Sequence, residues 1–384
     1  MKRIPRFFLT ALVLLTIVSA ASAEVPRARA TLYFLLNNWQ NDYAGGSKFD
    51  LNENALGLDA LLAPNDRFSF GLNGKLSSAK YDPKGEATLS DDKISSLNDT
   101  RLALTYTTAG GMASLTALAN LPTGKTKLDD TEFLIASAVA DNSRRFATRR
   151  FGQGLDLGVE GLAHPQAGNL TFHFGGGFLY KGKYQVRAED AEKYKYGDEI
   201  SARAGLDVDA EAIQFMLDGT MLFYLEDKFG DEKVYQSGPT AIIRSQIAYV
   251  RDHSVYGGFQ FVGRSKAKIR NQANEETLTD EASKSGRNEL LIYLGGGYLV
   301  NEKLRVNGRL DFQNFSANDY EEGSLLYRPK SNYIGIGGGA SYALTETLYG
   351  SGMLTYYTGS IDVPADKIDL SGLGLLLALT YRVM

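Results

Sequence analysis

The residues in this chain that could do chemistry are few, and the densest group lies between Leu121 and Phe151. An acidic start, Asp129-Asp130-Thr131-Glu132, leads into a small apolar segment, Phe133 to Ala140, and then a basic cluster carrying Arg144, Arg145, Arg149 and Arg150. Four guanidinium groups offer anion recognition, because their planar fork matches carboxylate and phosphate. The chain has three histidines and no cysteine. That excludes thiolate chemistry and gives no zinc-ligand spacing. His164 and His253 fall in expected tight turns and read as solvated. His173 lies inside an alternating run between Phe172 and Phe174. A hydrolase would need a Ser or an acid beside it, so the expectation is no catalytic residue, no metal and no cofactor. Ala119 to Thr126 mimics a nucleotide-binding loop. Its first position is Ala, and Lys127-Leu128-Asp129-Asp130 follows where a helix should begin at once.

The elements that must position these residues are strands. Leu304, Val306, Gly308, Leu310 and Phe312 alternate with Arg305, Asn307, Arg309, Asp311 and Gln313. Ile213, Phe215, Leu217, Gly219, Met221 and Phe223 do the same around Gln214, Asp218 and Thr220. Period-two alternation gives each strand one oily and one wet face. Sixteen such runs are read: 31–43, 53–63, 67–80, 99–108, 112–121, 152–163, 168–183, 198–209, 212–224, 239–250, 254–266, 288–300, 303–315, 332–343, 347–358 and 370–383. Seven tight turns alternate with longer polar loops. A strand of about 12 residues tilted by about 40° covers the apolar band of an outer membrane. The reading is an all-β chain: a transmembrane antiparallel β-barrel of about sixteen strands, with short periplasmic turns and long extracellular loops. Fourteen or eighteen strands fit the softer boundaries.

The ends and composition fit that reading. Lys2, Arg3 and Arg6, the apolar run Phe7 to Val18, and Ala21-Ser22-Ala23 form a signal-peptide pattern over 1–23. Residues 24–384 then form a single barrel with a long insert at 121–151. Seven residues, Glu24 to Ala30, precede the first run, so no N-terminal plug is expected. The last run, with Leu373, Leu375, Leu377, Leu379, Tyr381 and Val383 on one face, resembles the C-terminal strand of outer-membrane barrels, although the chain ends in Met384. A formal net charge of −4 and a mean hydropathy of −0.22 exclude a nucleic-acid binder and agree with strands half wetted by a lumen. The expected location is the outer membrane of a Gram-negative bacterium. The expected partners are the lipid bilayer and lipopolysaccharide, the barrel assembly machinery and small-molecule solutes.

By parity Arg101, His173, Arg305 and Arg309 face the lumen, as do Lys75, Arg203, Arg244, Arg264, Asp59, Asp156, Glu160, Asp207, Asp218 and Asp311. Together with Phe133, Arg144, Arg145, Arg149 and Arg150, the first four are the candidate channel-lining or constriction residues. An exterior loop should be polar, yet the segment around Phe133 needs cover. The insert is therefore expected to fold into the barrel, its acidic start at a helix N-terminus and Arg144 and Arg145 at the C-terminal end. Packing against the triplets at 175–177, 295–297 and 337–339 would give that cover; curvature of the sheet explains the same glycines equally well. The alternative is an external loop whose arginines meet lipopolysaccharide phosphates. The function expected is passive passage of small solutes, with carboxylated or aromatic compounds in view. The rival is a non-conducting structural or surface-interaction barrel.

Asn120-Leu121-Pro122-Thr123-Gly124, then Phe151-Gly152-Gln153-Gly154-Leu155-Asp156-Leu157, then Gly168-Asn169-Leu170-Thr171-Phe172-His173 resemble the outer-membrane proteins associated with meta-pathway phenol degradation. That resemblance implies a barrel channel with no catalytic residues and, by association, a link to aromatic substrates. This chain differs from the family by its insert at 125–150.

Overall fold

The computed structural model describes residues 27–43, 48–84, 92–141, 144–251, 253–271, 277–363 and 366–383. The signal-peptide segment at 1–23 lies outside them. Among the described residues sixteen antiparallel strands close into one barrel. They are β1 (Ala28–Tyr43), β2 (Lys48–Asn65), β3 (Phe68–Lys84), β4 (Asp92–Leu97 and Thr100–Thr107, interrupted at Asn98-Asp99), β5 (Ala113–Leu121), β6 (Asp156–Ala163), β7 (Leu170–Lys181) and β8 (Glu199–Ala210). The series continues with β9 (Ile213–Tyr224), β10 (Thr240–Val250), β11 (His253–Arg264), β12 (Glu289–Leu299), β13 (Leu304–Phe315), β14 (Ser331–Ala343), β15 (Leu348–Val363) and β16 (Asp366–Val383). β1 pairs with β16 from Ala28↔Val383 to Tyr43↔Ile368, so the sheet has no free edge.

Parity holds around the wall. Leu217, Ile243, Leu310, Phe312 and Leu377 are exposed on the outside, while Asp218, Gln260, Asp311 and Gln313 are buried inside. Exposed Tyr106, Tyr249, Tyr298, Tyr342 and Tyr381 collect near the short turns, as in an interfacial aromatic girdle. Even β1, which alternates poorly by composition, keeps Tyr33, Asn37, Trp39 and Asn41 inward and Leu32 and Phe34 outward.

The wall is taller on one side than the runs suggest. β2, β3, β15 and β16 extend past the apolar band, so residues 48–52, 359–363 and 366–369, expected in long loops, are strand. Their polar ends continue the ladder and pair charges, such as Lys48 with Asp42 at 3.0 Å and Lys84 with Asp50 at 3.4 Å. Other long loops build a second sheet of six short strands from Lys183–Tyr184, Tyr194–Lys195, Asp227–Phe229, Glu232–Gln236, Lys268–Arg270 and Leu278–Asp280. Among the described residues no helix is long and apolar enough to cross a membrane; the crossing elements are strands.

The apolar core lies inside the barrel, at the end carrying the long loops. Helix α1 (Asp130–Ala140) contributes Phe133, Ile135 and Val139. The wall contributes Trp39, Leu51, Ala79, Ile94, Phe315, Tyr333, Ile368 and Leu370. Trp39 stacks on Tyr357 with centroids 5.2 Å apart and meets Tyr333 edge-on. The three glycine triplets play no part in this packing. The first atoms a Cβ at Gly176, Gly296 or Gly339 would meet are carbonyl oxygens of adjacent strands, and at Gly295 the ring of Tyr256. They serve close strand approach and ring cover, not a smooth wall for the insert.

Candidate functional site: the tethered insert and the lumen arginines

The insert begins and ends at a backbone crossing. Gly124 and Gly152 touch: a methyl group on Gly124 would overlap the Phe151 carbonyl oxygen, and one on Gly152 would lie 2.7 Å from the Gly124 carbonyl carbon. Asp99, at the break in β4, ties both sides of the neck by accepting from the N–H of Gly124 at 2.9 Å and of Gln153 at 2.6 Å. Thr123 Oγ donates to the Asn98 carbonyl at 2.8 Å. The neck explains the Leu-Pro-Thr-Gly and Phe-Gly-Gln-Gly spacing. It also removes the nucleotide-loop reading, since residues 119–121 belong to β5 and no helix follows Gly124 directly.

Beyond the neck, α1 opens with a capping box. Asp129 accepts from Glu132 N–H at 2.8 Å, and Glu132 accepts from Asp129 N–H at 3.2 Å. The acidic start thus does what its composition suggests. The C-terminal end differs from expectation: α1 stops at Ala140 with Asp141 as its cap, and its last turn carries no basic residue. Arg144 and Arg145 are needed elsewhere, on the barrel wall. Leu128 exchanges backbone hydrogen bonds with Val186 and Ala188, and Arg187 covers the Phe133 ring at 4.3 Å. The helix is therefore held from above by the loop between β7 and β8.

The return segment of the insert is bonded to inward-facing side chains. Glu53 of β2, fully buried, accepts from Ala147 N–H at 2.8 Å, Thr148 N–H at 2.5 Å and Asn37 Nδ2 at 2.9 Å. Lys75 donates to the Ala147 carbonyl at 2.9 Å and Asn98 to the Arg150 carbonyl at 2.6 Å. Arg145 reaches Asp311 of β13, several strands away around the wall, at 3.1 Å. Contacts to β2, β3, β4 and β13 from one short segment place it across the barrel interior.

The four insert arginines are divided among partners. Arg144 donates twice to Asn41 Oδ1, at 3.0 and 2.7 Å, and is buried. Arg149 donates to the Asp141 carbonyl at 3.3 Å, and Arg150 lies over the Tyr196 ring at 4.7 Å. Only Arg145 lines a cavity of about 580 Å³ that continues toward the short-turn end. There it meets Arg305 and Arg309. Arg305 donates to Ser254 Oγ at 3.1 Å, and Arg309 pairs with Asp311 at 2.7 Å. The lining carries Arg29, Arg145, Lys303, Arg305, Arg309 and Arg382 against Glu302 and Asp311. Arg101 stands apart on β4, opposite Asn120.

His173 also stands apart, and its surroundings differ from expectation. It bonds Asp207 at 2.7 Å and His164 at 2.8 Å, and His164 bonds Ser114 at 3.3 Å. His164 is thus not simply solvated in its turn; burial first, then His173 and Arg203, lower its pKa. His253 is likewise engaged, stacked on Tyr298 with centroids 4.5 Å apart. Nothing in the sequence distinguishes Glu53, Asn41, Asp99 and Asn98. An inward polar residue on an alternating strand reads the same whether it meets water or an insert.

A closed antiparallel barrel with a lipid-facing apolar band, short turns at one end and long loops at the other defines a transmembrane β-barrel of the outer-membrane type. No family model and no curated protein matches the chain. Among solved structures it is similar to a FadL homologue of Pseudomonas aeruginosa (10% identity, 93% of this chain and 91% of that one, TM-score 0.46). It is similar to OccK7 of the same organism (12%, 93% and 100%, TM-score 0.43). A third is OmpT, an outer-membrane protein of Vibrio cholerae (11%, 94% and 99%, TM-score 0.40).

Proposed function

We propose that the chain is a passive outer-membrane channel for small solutes, narrowed by the insert, with anionic and especially carboxylated compounds preferred. The observation that carries this reading is the convergence of Arg145, from the insert, with Arg305 and Arg309, from the wall, on one cavity with six cationic and two acidic lining residues. A guanidinium fork matches a carboxylate, and a ring of one charge sign selects ions at a constriction. Rings at the cavity, Tyr256 and Tyr357, would suit an aromatic acid; the meta-pathway resemblance points the same way.

The test is reversal potential in a planar bilayer under a KCl gradient. Anion preference is expected. Arg145→Ser should move it toward cations, and Arg305→Ser with Arg309→Ser should move it further. Arg144→Ser, Arg149→Ser and Arg150→Ser should leave it nearly unchanged, since those side chains are held away from the cavity. The second reading, a surface-interaction barrel binding lipopolysaccharide or a partner, rests on the six-stranded outer sheet. A folded barrel that stays silent in the bilayer, with or without the insert, would favour it.

A further inference from the structure

The structure assigns a second site, away from the arginine cavity, on the inner wall formed by β5 to β8. His164 Nδ1 and His173 Nδ1 face each other at 2.8 Å, with ring centroids 5.1 Å apart and planes at 73°. Each ring is fixed from behind. His173 Nε2 bonds the Asp207 carboxylate at 2.7 Å, and His164 Nε2 bonds Ser114 Oγ at 3.3 Å. Three separate strands and a turn therefore aim two imidazole nitrogens at one point. We propose that this pair binds a borderline transition dication, such as Cu²⁺, Ni²⁺ or Zn²⁺, through the two Nδ1 atoms.

The outer nitrogens decide which lone pairs are free to bind an ion. A histidine that binds a metal usually donates its other N–H to a carboxylate or another oxygen, which fixes the tautomer and raises ligand basicity. His173 with Asp207 fits that arrangement: Nε2–H donates to the carboxylate, which leaves the Nδ1 lone pair pointing at His164. With Nε2–H of His173 given to Asp207, the 2.8 Å contact requires His164 to donate Nδ1–H to His173 and its Nε2 to accept from the Ser114 hydroxyl. For an ion to enter, the His164 proton moves to Nε2, and the Ser114 hydroxyl turns from donor to acceptor. A hydroxyl can play both roles, so both lone pairs become available without a net change of charge.

An ion asks the two rings both to part and to tilt. Two bonds of about 2.0–2.1 Å at a tetrahedral angle separate the nitrogens by about 3.3 Å, so the rings part by about half an ångström and each lone pair swings roughly 35° off the N–N line. Imidazole suits Cu, Ni and Zn, whereas Ca and Mg prefer oxygen. Among the described residues no three His, Asp or Glu side chains form a metal-binding group. The ion would thus have two protein nitrogens, with water completing its shell. Access is from the lumen: the His173 and Asp207 side chains retain 21% and 47% of their exposure. The nearby cation, Arg203, is paired with Asp218.

The chain's three histidines make the test clean. Untagged, folded barrel in detergent is titrated with CuCl₂, NiCl₂ or ZnCl₂ alone by calorimetry, and the Cu²⁺ form is measured by electron paramagnetic resonance. One ion per barrel is expected, with hyperfine splitting from two nitrogens. His164→Gln or His173→Gln should weaken binding at least tenfold, and Asp207→Asn by about 10–100-fold. His253→Gln should change nothing. Absence of saturable binding, or a Cu²⁺ spectrum without two nitrogen couplings, would overturn the proposal even if a variant failed to fold. So would affinity that survives loss of both His164 and His173.

Discussion

At the residue scale, Glu53 illustrates how a wall residue can hold an insert. Its carboxylate satisfies two buried backbone N–H groups of the return segment and one side-chain amide. Removing it leaves those donors buried without an acceptor, at a cost of about 1–3 kcal/mol each before relaxation. Glu53→Ala should therefore lower the midpoint of thermal insert release and raise single-channel conductance. Unchanged conductance and midpoint would mean that Ala147 and Thr148 are held by other contacts. Asp311 is a second such residue, shared by Arg145 and Arg309. Asp311→Asn should loosen Arg145 and increase anion preference, because it removes one of two acids from a cationic lining; reversal potential would report it.

At the element scale, the insert is a tethered unit of its own: a neck of two glycines and Asp99, a capped helix, and an arginine-rich return. The helix is covered on more than one side, and it supplies Phe133, Ile135 and Val139 to a core that includes Trp39, the chain's single tryptophan. Deleting residues 128–146 should expose that indole to water. The emission maximum should shift to the red and conductance should rise in the same preparation. If both stay as in the full chain, the helix does not cover Trp39 in the membrane. The neck makes a separate prediction. Gly124→Val or Gly152→Val has no room at the crossing, and either should reproduce part of the deletion phenotype while the barrel remains folded.

At the scale of the whole molecule, closure and parity dominate. The β1–β16 seam pairs the last two strand edges that would otherwise meet lipid, which predicts that the unboiled protein in mild SDS migrates differently from the boiled one. Parity predicts an asymmetry within β9. Leu217→Arg, on the lipid face, should cost about 2–4 kcal/mol near mid-membrane, while Gln214→Arg, on the lumen face, should cost much less. Chemical denaturation of both variants in one lipid checks the order. Equal costs would show that the faces are not as the structure has them. The outer sheet adds a further layer, built only where the loops after β7, β9 and β11 are long enough to pair with one another.

What the sequence determined was whatever repeats over short distances. Alternation fixed which face of β9, β13 and β16 meets lipid, because side-chain direction has period two and needs no knowledge of neighbours. The turn spacing gave the order of hairpins, and Asp129 with Glu132 gave the start of α1 through a bond only three residues long. Tertiary structure decided what depends on residues far apart in the chain. Asp311 singles out Arg145 from three other arginines, Glu53 holds Thr148, and Asp207 turns His173 toward His164. Inward polar residues look alike in a linear sequence because water satisfies any of them. Only closure of the barrel, which brings β2 and β13 to the same segment, decides which of them meet protein instead.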